Sequence, residues 1–550
     1  ISLRVVYAFA REMHPKTTDV FIQYGTAGFR TKASLLEHVV YRMGLLAVIR
    51  SRVKNGRTIG MMITASHNLE PDNGVKLIDP HGEMLEQSWE ELATRLANVS
   101  DNDLESTTEQ IIKEVNADMG LKASVFIGMD TRYTSPRLAA AAVHGVMALK
   151  GTPKEFGIVT TPILHYCVRC RNDNSYGKPT EEGYYEKIVG AFKNIRQKLS
   201  VTGNYNTILY VDGANGVGGK KLNIIKKGLD GELDLVLHNL GGNGGKLNLN
   251  CGADYVKVSQ KPATGFEAPP LQRVASLDGD GDRLVYYYLD QNENMKLLDG
   301  DRIATLLASY ITELLAASGA LGLRLGLVQT AYANGASTKY ITQKLKIPVT
   351  CVKTGVKHLH HAALSYDVGV YFEANGHGTV VYSDAAKRAV QQRKSAELLL
   401  DLIDMTNETV GDAISDLFLV ETVLCARGLD ARDWLAQYTD LPCRQLKVTV
   451  QDRNVISTAD AERKCTAPEG LQSRIDELVD KYTDGRAFVR PSGTEDVVRV
   501  YAEADTQQVG RGQETIVYTL SGFQPVGLLS LIFVTPCITK KNMKFLNIHT

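Results

Sequence analysis

Thr58-Ile59-Gly60-Met61-Met62-Ile63-Thr64-Ala65-Ser66-His67-Asn68 is an apolar run that breaks abruptly into small and polar residues. The run has the length and composition of a buried strand, and the break sets a hydroxyl at its carboxyl end. Open α/β sheets bind ligands outside the carboxyl ends of their strands, so Ser66 is a candidate reacting group, left accessible by the small neighbour Ala65. A strand-to-helix turn that uses Ser and Asn as caps accounts for the same five residues. Asn73-Gly74-Val75-Lys76 then reads as a turn with a lysine able to return towards the loop.

Outward from this point, short apolar runs alternate with helix-like stretches between Tyr24 and about Thr180, with strands at Thr58–Ile63 and Val125–Gly128 and a helix at Leu138–Leu149. That alternation predicts βαβ units and a sheet with parallel character. The polar stretch Ser175–Glu182 reads as a boundary, and Ile208–Val211 starts a second module. A third begins near Leu297, with a helix at Arg302–Ala317 and strands at Leu325–Gln329 and Val368–Phe372. From about Ala426 to Trp434 the pattern turns strand-rich, with Leu446–Val450 and Ala487–Val489, which predicts a smaller α+β domain. The expected fold class is therefore α/β: three βα modules with mixed sheets, then the α+β domain. The expected divisions are 1–180, 181–296, 297–436 and 437–506, with an atypical tail at 507–550.

Bulk properties agree with several domains, since 550 residues exceed what one hydrophobic core organises. Lys and Arg number 62 against 62 Asp and Glu, which excludes the basic excess of a nucleic-acid or membrane-surface binder. The eight cysteines are scattered, and the pair Cys167 and Cys170 has no second pair or His cluster to complete a zinc site. No hydrophobic signal segment opens the chain, so reduced thiols and a cytosolic location are expected. A chain that opens on Ile1 rather than Met is expected to lack its natural start.

Three further loops carry chemistry. Asp278-Gly279-Asp280-Gly281-Asp282-Arg283 follows the strand Val274–Ser276 and alternates carboxylates with glycines, a hard oxygen cage suited to Mg2+ or Ca2+. An EF-hand needs Gly at its sixth position and Glu at its twelfth, and Arg283 and Leu289 stand there instead. Arg283 beside the cage suggests a ligand that brings its own negative charge, such as phosphate; a solvated acidic turn is the plainer reading.

Glu373-Ala374-Asn375-Gly376-His377-Gly378 ends the strand Val368–Phe372 and offers an acceptor and an amide to hydroxyl groups, a weak signal by itself. Arg490-Pro491-Ser492-Gly493-Thr494-Glu495 joins Ala487–Val489 to Val497–Glu503 and combines hydroxyls, free N–H groups and a guanidinium, as an anion nest does. Alternation in the second strand sets Arg499 on the face opposite Val498 and Val500. A plain hairpin with surface arginines is the competing reading.

These four loops, in this order, resemble those of the α-D-phosphohexomutase superfamily: a phosphoserine loop, a metal loop, a sugar loop and a phosphate loop. Gly25-Thr26-Ala27-Gly28-Phe29-Arg30 is also similar to that family's N-terminal motif, and the resemblance extends from about Gln23 to Asp505. It implies a four-domain phosphohexomutase architecture. Glu373-Ala374-Asn375-Gly376-His377, Asn250–Lys257, Gln329–Gly335 and Thr354–His361 resemble the branch that acts on N-acetylglucosamine phosphates.

By that resemblance Ser66 carries a phosphoryl group, and Ser66, Asp278, Asp280 and Asp282 hold Mg2+. Lys76 accepts a proton or stabilises charge, and His67 and Arg30 support the phosphoryl oxygens. Glu373, Ala374 and Asn375 bind the sugar; Arg490, Pro491, Ser492, Gly493, Thr494 and Arg499 bind the phosphate that is not reacting. The implied reaction moves the phosphate of N-acetylglucosamine between positions 6 and 1 through a 1,6-bisphosphate, towards UDP-N-acetylglucosamine. The expected partner is a small sugar phosphate, with neither nucleic acid nor membrane. A glucose- or mannose-specific mutase, a metal-dependent phosphatase and a non-catalytic sugar-phosphate binder are the alternatives.

Two departures from the family pattern stand out. Leu69 replaces the usual Pro after Ser-His-Asn and is expected to loosen the loop. After about Asp505 the likeness stops. Thr515–Thr539 carries no charge, yet Gln524, Pro525 and Pro536 make it a poor membrane span, and it reads as a replacement for a closing helix.

Overall fold

The computed structural model describes residues 11–229, 231–242, 244–320, 322–492 and 497–505. Gly493, Thr494 and the tail from Gln507 lie outside the described residues. The chain divides into two compact units, with the boundary between Thr439 and Asp440.

In the first unit, β1 (Phe29–Lys32), α1 (Glu37–Val53), β2 (Ile59–Ile63), β3 (Asp72–Ile78), β4 (Ser124–Met129), α2 (Ser135–Ala148) and β5 (Thr152–Ile158) build one sheet and its packed helices. The strand order is β1-β3-β2-β4-β5, with β2, β4 and β5 parallel and β3 antiparallel to β1 and β2. Met61 and Ile63 enter one hydrophobic cluster and Met62 another, so β2 is covered on both faces. That explains an unbroken apolar run in place of polar alternation. Residues 73–76 are not a turn: they lie within β3, where Lys76 pairs with Met62 and Val75 with Ile63. The Asn-Gly pair hid the strand because it is a turn signal in most contexts.

Two helices, α3 (Thr161–Asn172) and α4 (Glu181–Lys198), lead to the second sheet. It contains β6 (Ile208–Asp212), β7 (Asp234–His238), β8 (Val274–Leu277), β9 (Leu284–Leu289) and β10 (Met295–Leu298) in the order β10-β9-β8-β6-β7. Helix α5 (Gly300–Ala317) follows, its first N–H groups capped by the Asp299 carboxylate. The third sheet, order β12-β11-β13-β14, uses β11 (Leu325–Thr330), β12 (Val349–Val352), β13 (Val368–Phe372) and β14 (Gly378–Tyr382). Both sheets pair parallel strands at their centre with an antiparallel neighbour. The fold is thus α/β with several mixed sheets.

One hydrophobic cluster runs from Met62 of the first sheet through the second and third sheets to Trp434. Helix α6 (Ala413–Arg427) is almost wholly buried in it. Its Glu421 accepts from Arg273 at 2.9 and 2.5 Å, from Tyr205 Oη at 3.0 Å and from Tyr286 Oη at 3.2 Å. A buried carboxylate is tolerated there because each oxygen meets a cation and a hydroxyl.

The second unit is strand-rich, as its sequence predicts. Its sheet has the order β15-β19-β18 and is antiparallel throughout, from β15 (Cys443–Thr449), β18 (Arg486–Pro491) and β19 (Val497–Glu503). Between these come the ribbon β16 (Ser457–Ala459) with β17 (Lys464–Ala467), and α7 (Leu471–Val479). Leu471 and Ile475 of that helix cluster with Val489, Val498 and Val500, the alternate residues of the sheet's inner face.

Glu421→Leu strands Arg273 as an unpaired buried cation and is expected to cost about 3–5 kcal/mol of stability. The measurement is the urea midpoint of the purified variant against the parent chain.

Candidate active site

The carboxyl ends of three parallel strands deliver the chemistry: Ser66 follows β2, Asp278 follows β8 and Glu373 follows β13. Ser66 is 2% exposed and sits at φ +50°, a left-handed conformation that L residues avoid at a cost of about 1–2 kcal/mol. Its N–H donates to Thr64 Oγ1 at 2.9 Å, and its Oγ donates to Asp278 Oδ2 at 2.7 Å. The rest of the loop is gripped from outside. Arg132 Nη1 donates to the carbonyls of Leu69 and Asp72 at 2.7 and 2.9 Å, and Nη2 to those of Ser66 and Asn68 at 3.1 and 2.8 Å. Asn248 Nδ2 donates to the same Ser66 and Asn68 carbonyls at 2.8 and 3.0 Å.

Leu69 enters this grip through its carbonyl, an atom that proline also has, while its side chain is half-exposed. The loop's hold therefore does not depend on a ring at position 69.

The aspartate loop is buried. Carboxylate oxygens of Asp278, Asp280 and Asp282 lie within 4.8 Å of one another. Asp278 Oδ1 accepts from the N–H groups of Gly281, Asp282 and Arg283 at 3.1, 3.0 and 3.2 Å, which folds the loop around it. Gly279 packs on the serine loop so closely that a Cβ there would lie 2.6 Å from the Ser66 carbonyl oxygen. Asp280 Oδ2 accepts from Thr161 Oγ1 at 2.7 Å and Lys76 Nζ at 3.1 Å, whereas its buried Oδ1 has no protein partner. An unsatisfied buried carboxylate oxygen beside two further carboxylates and a serine hydroxyl fits a small, hard divalent cation such as Mg2+.

Basic side chains surround this cage. Lys76 Nζ also donates to Asp282 Oδ2 at 3.1 Å, and His377 Nδ1 lies 3.3 Å from Asp282 Oδ1. Burial drives the Asp278 carboxyl well above the usual range, reinforced by Asp282 and Asp280. Burial acts the same way on Asp282, but Lys76, His377 and Arg283 together hold it well below that range. For Lys76 burial opposes the charge, and Asp280 and Asp282 outweigh it, so its pKa is raised. His67 is pushed well down by burial and then by Arg283 and Arg30, which keeps its imidazole neutral. Arg30 Nη1 donates to Asn68 Oδ1 at 3.2 Å, at the rim of the serine loop.

The Glu373 loop meets the metal loop through its backbone: the Leu284 N–H donates to the Gly376 carbonyl at 3.0 Å. Gly376 has φ +87°, and a Cβ there would lie 1.9 Å from the Leu284 carbonyl oxygen. Glu373 Oε1 accepts from the Gly355 N–H at 3.0 Å and Oε2 from Asn375 Nδ2 at 3.2 Å. Asn375 Oδ1 accepts from the His377 N–H at 2.9 Å, so Asn375 shapes the loop. Ala374 is buried between these two polar neighbours.

In the C-terminal unit, considered by itself, Arg490 and Pro491 belong to β18, which runs two residues further at this end than the sequence suggests. Ser492 donates its N–H to the Val497 carbonyl at 2.9 Å and closes the hairpin. Register places Lys447, Arg499 and Arg490 directly across from one another on three adjacent strands. Directly opposed like charges destabilise a sheet, and the Glu462 carboxylate, 3.5 Å from Arg490 Nη1, offsets part of this one.

The sequence reading placed Thr64 in the serine loop without a role and passed over Asp130, Arg132, Thr161 and Asn248. Thr64 Oγ1 donates to Asp130 Oδ2 at 2.9 Å and Asp280 Oδ2 at 3.2 Å, which links the first two loops. A signal for two of them was present: Asp130-Thr131-Arg132 follows β4, the parallel neighbour of β2, and so emerges on the same sheet edge as Ser66.

Family models match successive stretches of the chain: "Phosphoglucomutase/phosphomannomutase, alpha/beta/alpha domain I" over residues 39–104 and 96–176, and "Phosphoacetylglucosamine mutase AMG1, domain II" over 175–285. "Phosphoacetylglucosamine mutase AMG1, domain III" matches 299–429, and "Phosphoglucomutase/phosphomannomutase, C-terminal domain" matches 446–517. The phosphoacetylglucosamine mutase of Sus scrofa is 51% identical over 526 residues, which cover 94% of this chain and 96% of the relative. A solved structure of Aspergillus fumigatus N-acetylphosphoglucosamine mutase in complex with GlcNAc-6P and magnesium is 47% identical, with a TM-score of 0.89 over 95% of this chain and 98% of the other. A Ser-to-Ala variant of that fungal enzyme, in complex with glucose 1,6-bisphosphate, superposes with a TM-score of 0.89 at 46% identity over the same shares. Likeness of this order along nearly the whole length of both chains, together with the serine, aspartate and glutamate loops at three strand ends, shows that the chain belongs to the phosphoacetylglucosamine mutases, isomerases of the phosphohexomutase superfamily.

Proposed function

We propose that the chain interconverts N-acetylglucosamine 6-phosphate and 1-phosphate in the cytosol, on the way to UDP-N-acetylglucosamine, with Ser66 as a phosphoryl carrier and Mg2+ as cofactor. The observation that carries this reading is the 2.7 Å contact between Ser66 Oγ and Asp278, inside a carboxylate cage with an unsatisfied oxygen. A Mg2+ ion held by Asp278, Asp280, Asp282 and phosphorylated Ser66 would neutralise charge on the transferring group.

In the first half-reaction the bond between Ser66 Oγ and phosphorus breaks as the sugar 1-hydroxyl bonds to phosphorus, giving the 1,6-bisphosphate; the hydroxyl proton ends on Ser66 Oγ. In the second, with the sugar turned end for end, Ser66 Oγ attacks the 6-phosphoryl group and its proton passes to the 6-oxygen. No net acid or base is consumed. Lys76, already an ammonium between two aspartates, suits charge stabilisation better than proton acceptance. Arg30 and neutral His67 support phosphoryl oxygens beside Ser66. Glu373 and Asn375 grip sugar hydroxyls with Ala374 between them, and Arg490, Pro491, Ser492, Gly493, Thr494 and Arg499 bind the idle phosphate.

Three outcomes are expected. Ser66→Ala should abolish turnover with the fold intact; near-normal turnover in the purified variant would end the carrier assignment. Asp280→Asn should raise the Mg2+ concentration for half-maximal rate at least about tenfold and lower kcat more than it raises KM. An unchanged Mg2+ titration counts against the cage. Asn375→Ser should lower the ratio of kcat/KM for the acetamido sugar over glucose phosphate about tenfold, and equal losses on both substrates would assign Asn375 to general binding.

A further inference from the structure

We propose that Arg132 is the positioning residue that keeps Ser66 in its reacting orientation, an inference that rests on Ser66 being the phosphoryl carrier. Arg132 is 1% exposed, and its guanidinium plane is committed to one loop. Nε donates to Asp130 Oδ2 at 2.9 Å, and the two terminal nitrogens serve the carbonyls of Ser66, Asn68, Leu69 and Asp72. A guanidinium has five N–H donors, and five protein acceptors stand around this one, so it has none to offer a substrate. Its influence on chemistry therefore passes through the loop.

That influence has a specific target. Ser66 is in the left-handed region, and residues 65–69 form a loop without a strand neighbour of their own. The Ser66 carbonyl oxygen is fixed by Arg132 and, from the second sheet's side, by Asn248. With the carbonyls pinned, the adjoining peptide planes cannot rotate, and the Cα–Cβ bond of Ser66 is aimed at the aspartate cage. Release of the carbonyls allows Ser66 to relax towards an ordinary backbone conformation and moves Oγ off line. A misplacement of about 1 Å at a reacting atom costs on the order of 100-fold in rate.

Asp130 completes the device. Its carboxylate receives Arg132 Nε, Thr64 Oγ1 and Ser135 Oγ, the last at 2.7 Å, so the arginine is itself held in plane. Lysine in place of Arg132 keeps a cation beside Asp130 but has three donors at a single point, and cannot reach four carbonyls in a fork.

The test uses Arg132→Lys in the full chain, with Ser66→Ala alongside and Asp130→Asn/Arg132→Gln as a second variant that buries no lone charge. Intact mass after rapid mixing with a sugar 1,6-bisphosphate reads the rate of Ser66 phosphorylation, and steady-state assays separate kcat from KM. We expect phosphorylation and kcat to fall about 100-fold with KM changed less than about threefold, and the thermal midpoint of at least one Arg132 variant close to the parent's. Phosphorylation within about threefold of the parent in a folded variant overturns the proposal. So does a rate loss equal to the unfolded fraction, since that is a structural role alone. If Ser66→Ala retains turnover, the carrier reading fails first; if Ser66→Ala is inactive while Arg132→Lys is normal, only the positioning role fails.

Discussion

Three carboxylates brought within 4.8 Å of one another in a buried loop repel strongly, and the first unit is organised around that repulsion. Water cannot screen it, because Asp278 and Asp280 are inaccessible and Asp282 nearly so. Lys76 and Arg283 bring positive charge to the cage, His377 sets a ring nitrogen 3.3 Å from Asp282, and main-chain N–H groups fold around Asp278. Lys76 lies in β3, Arg283 between β8 and β9, and His377 between β13 and β14, so these three side chains gather at the cage only once the three sheets have met. A buried charge cluster left partly unpaired costs several kcal/mol, which gives the assembled state a definite geometry.

The sheets supply that geometry by a shared rule. Parallel strands point their carboxyl ends to one edge, and the loops that leave β2, β4, β8 and β13 therefore emerge with known direction. Glycine permits the closest approaches: Gly279 lies against the Ser66 carbonyl and Gly376 against Leu284. Side chains at both points would push the loops apart by a distance comparable to a bond, enough to separate the serine from its aspartate.

Much of this was legible in the chain itself. Val368–Phe372 and Val497–Glu503 coincide with strands read from apolar runs, and the four loops declared themselves through dense, unusual residue types. Arg132 and Asn248 did not, because a side chain that donates to carbonyls leaves no trace in the identity of its acceptors: every residue has a carbonyl. Their targets also lie 66 and 182 residues away. Strand β3 was lost for a different reason, since Asn73-Gly74 is a turn pair in isolation and only sheet pairing on both sides makes it extended. Long-range pairing overrode a local preference there.

The placement of Glu421 bears on how the chain is made. Its partner Arg273 precedes it by 148 residues. At ribosomal speeds of about 5–20 residues per second, the arginine emerges roughly 7–30 s before the carboxylate that neutralises it. During that interval α6 has not been made, and the side chains of Tyr286, Leu306 and Leu307, which share its hydrophobic cluster, lack that neighbour. A lone cation and an uncovered hydrophobic surface therefore coincide in the growing chain for as long as α6 is missing.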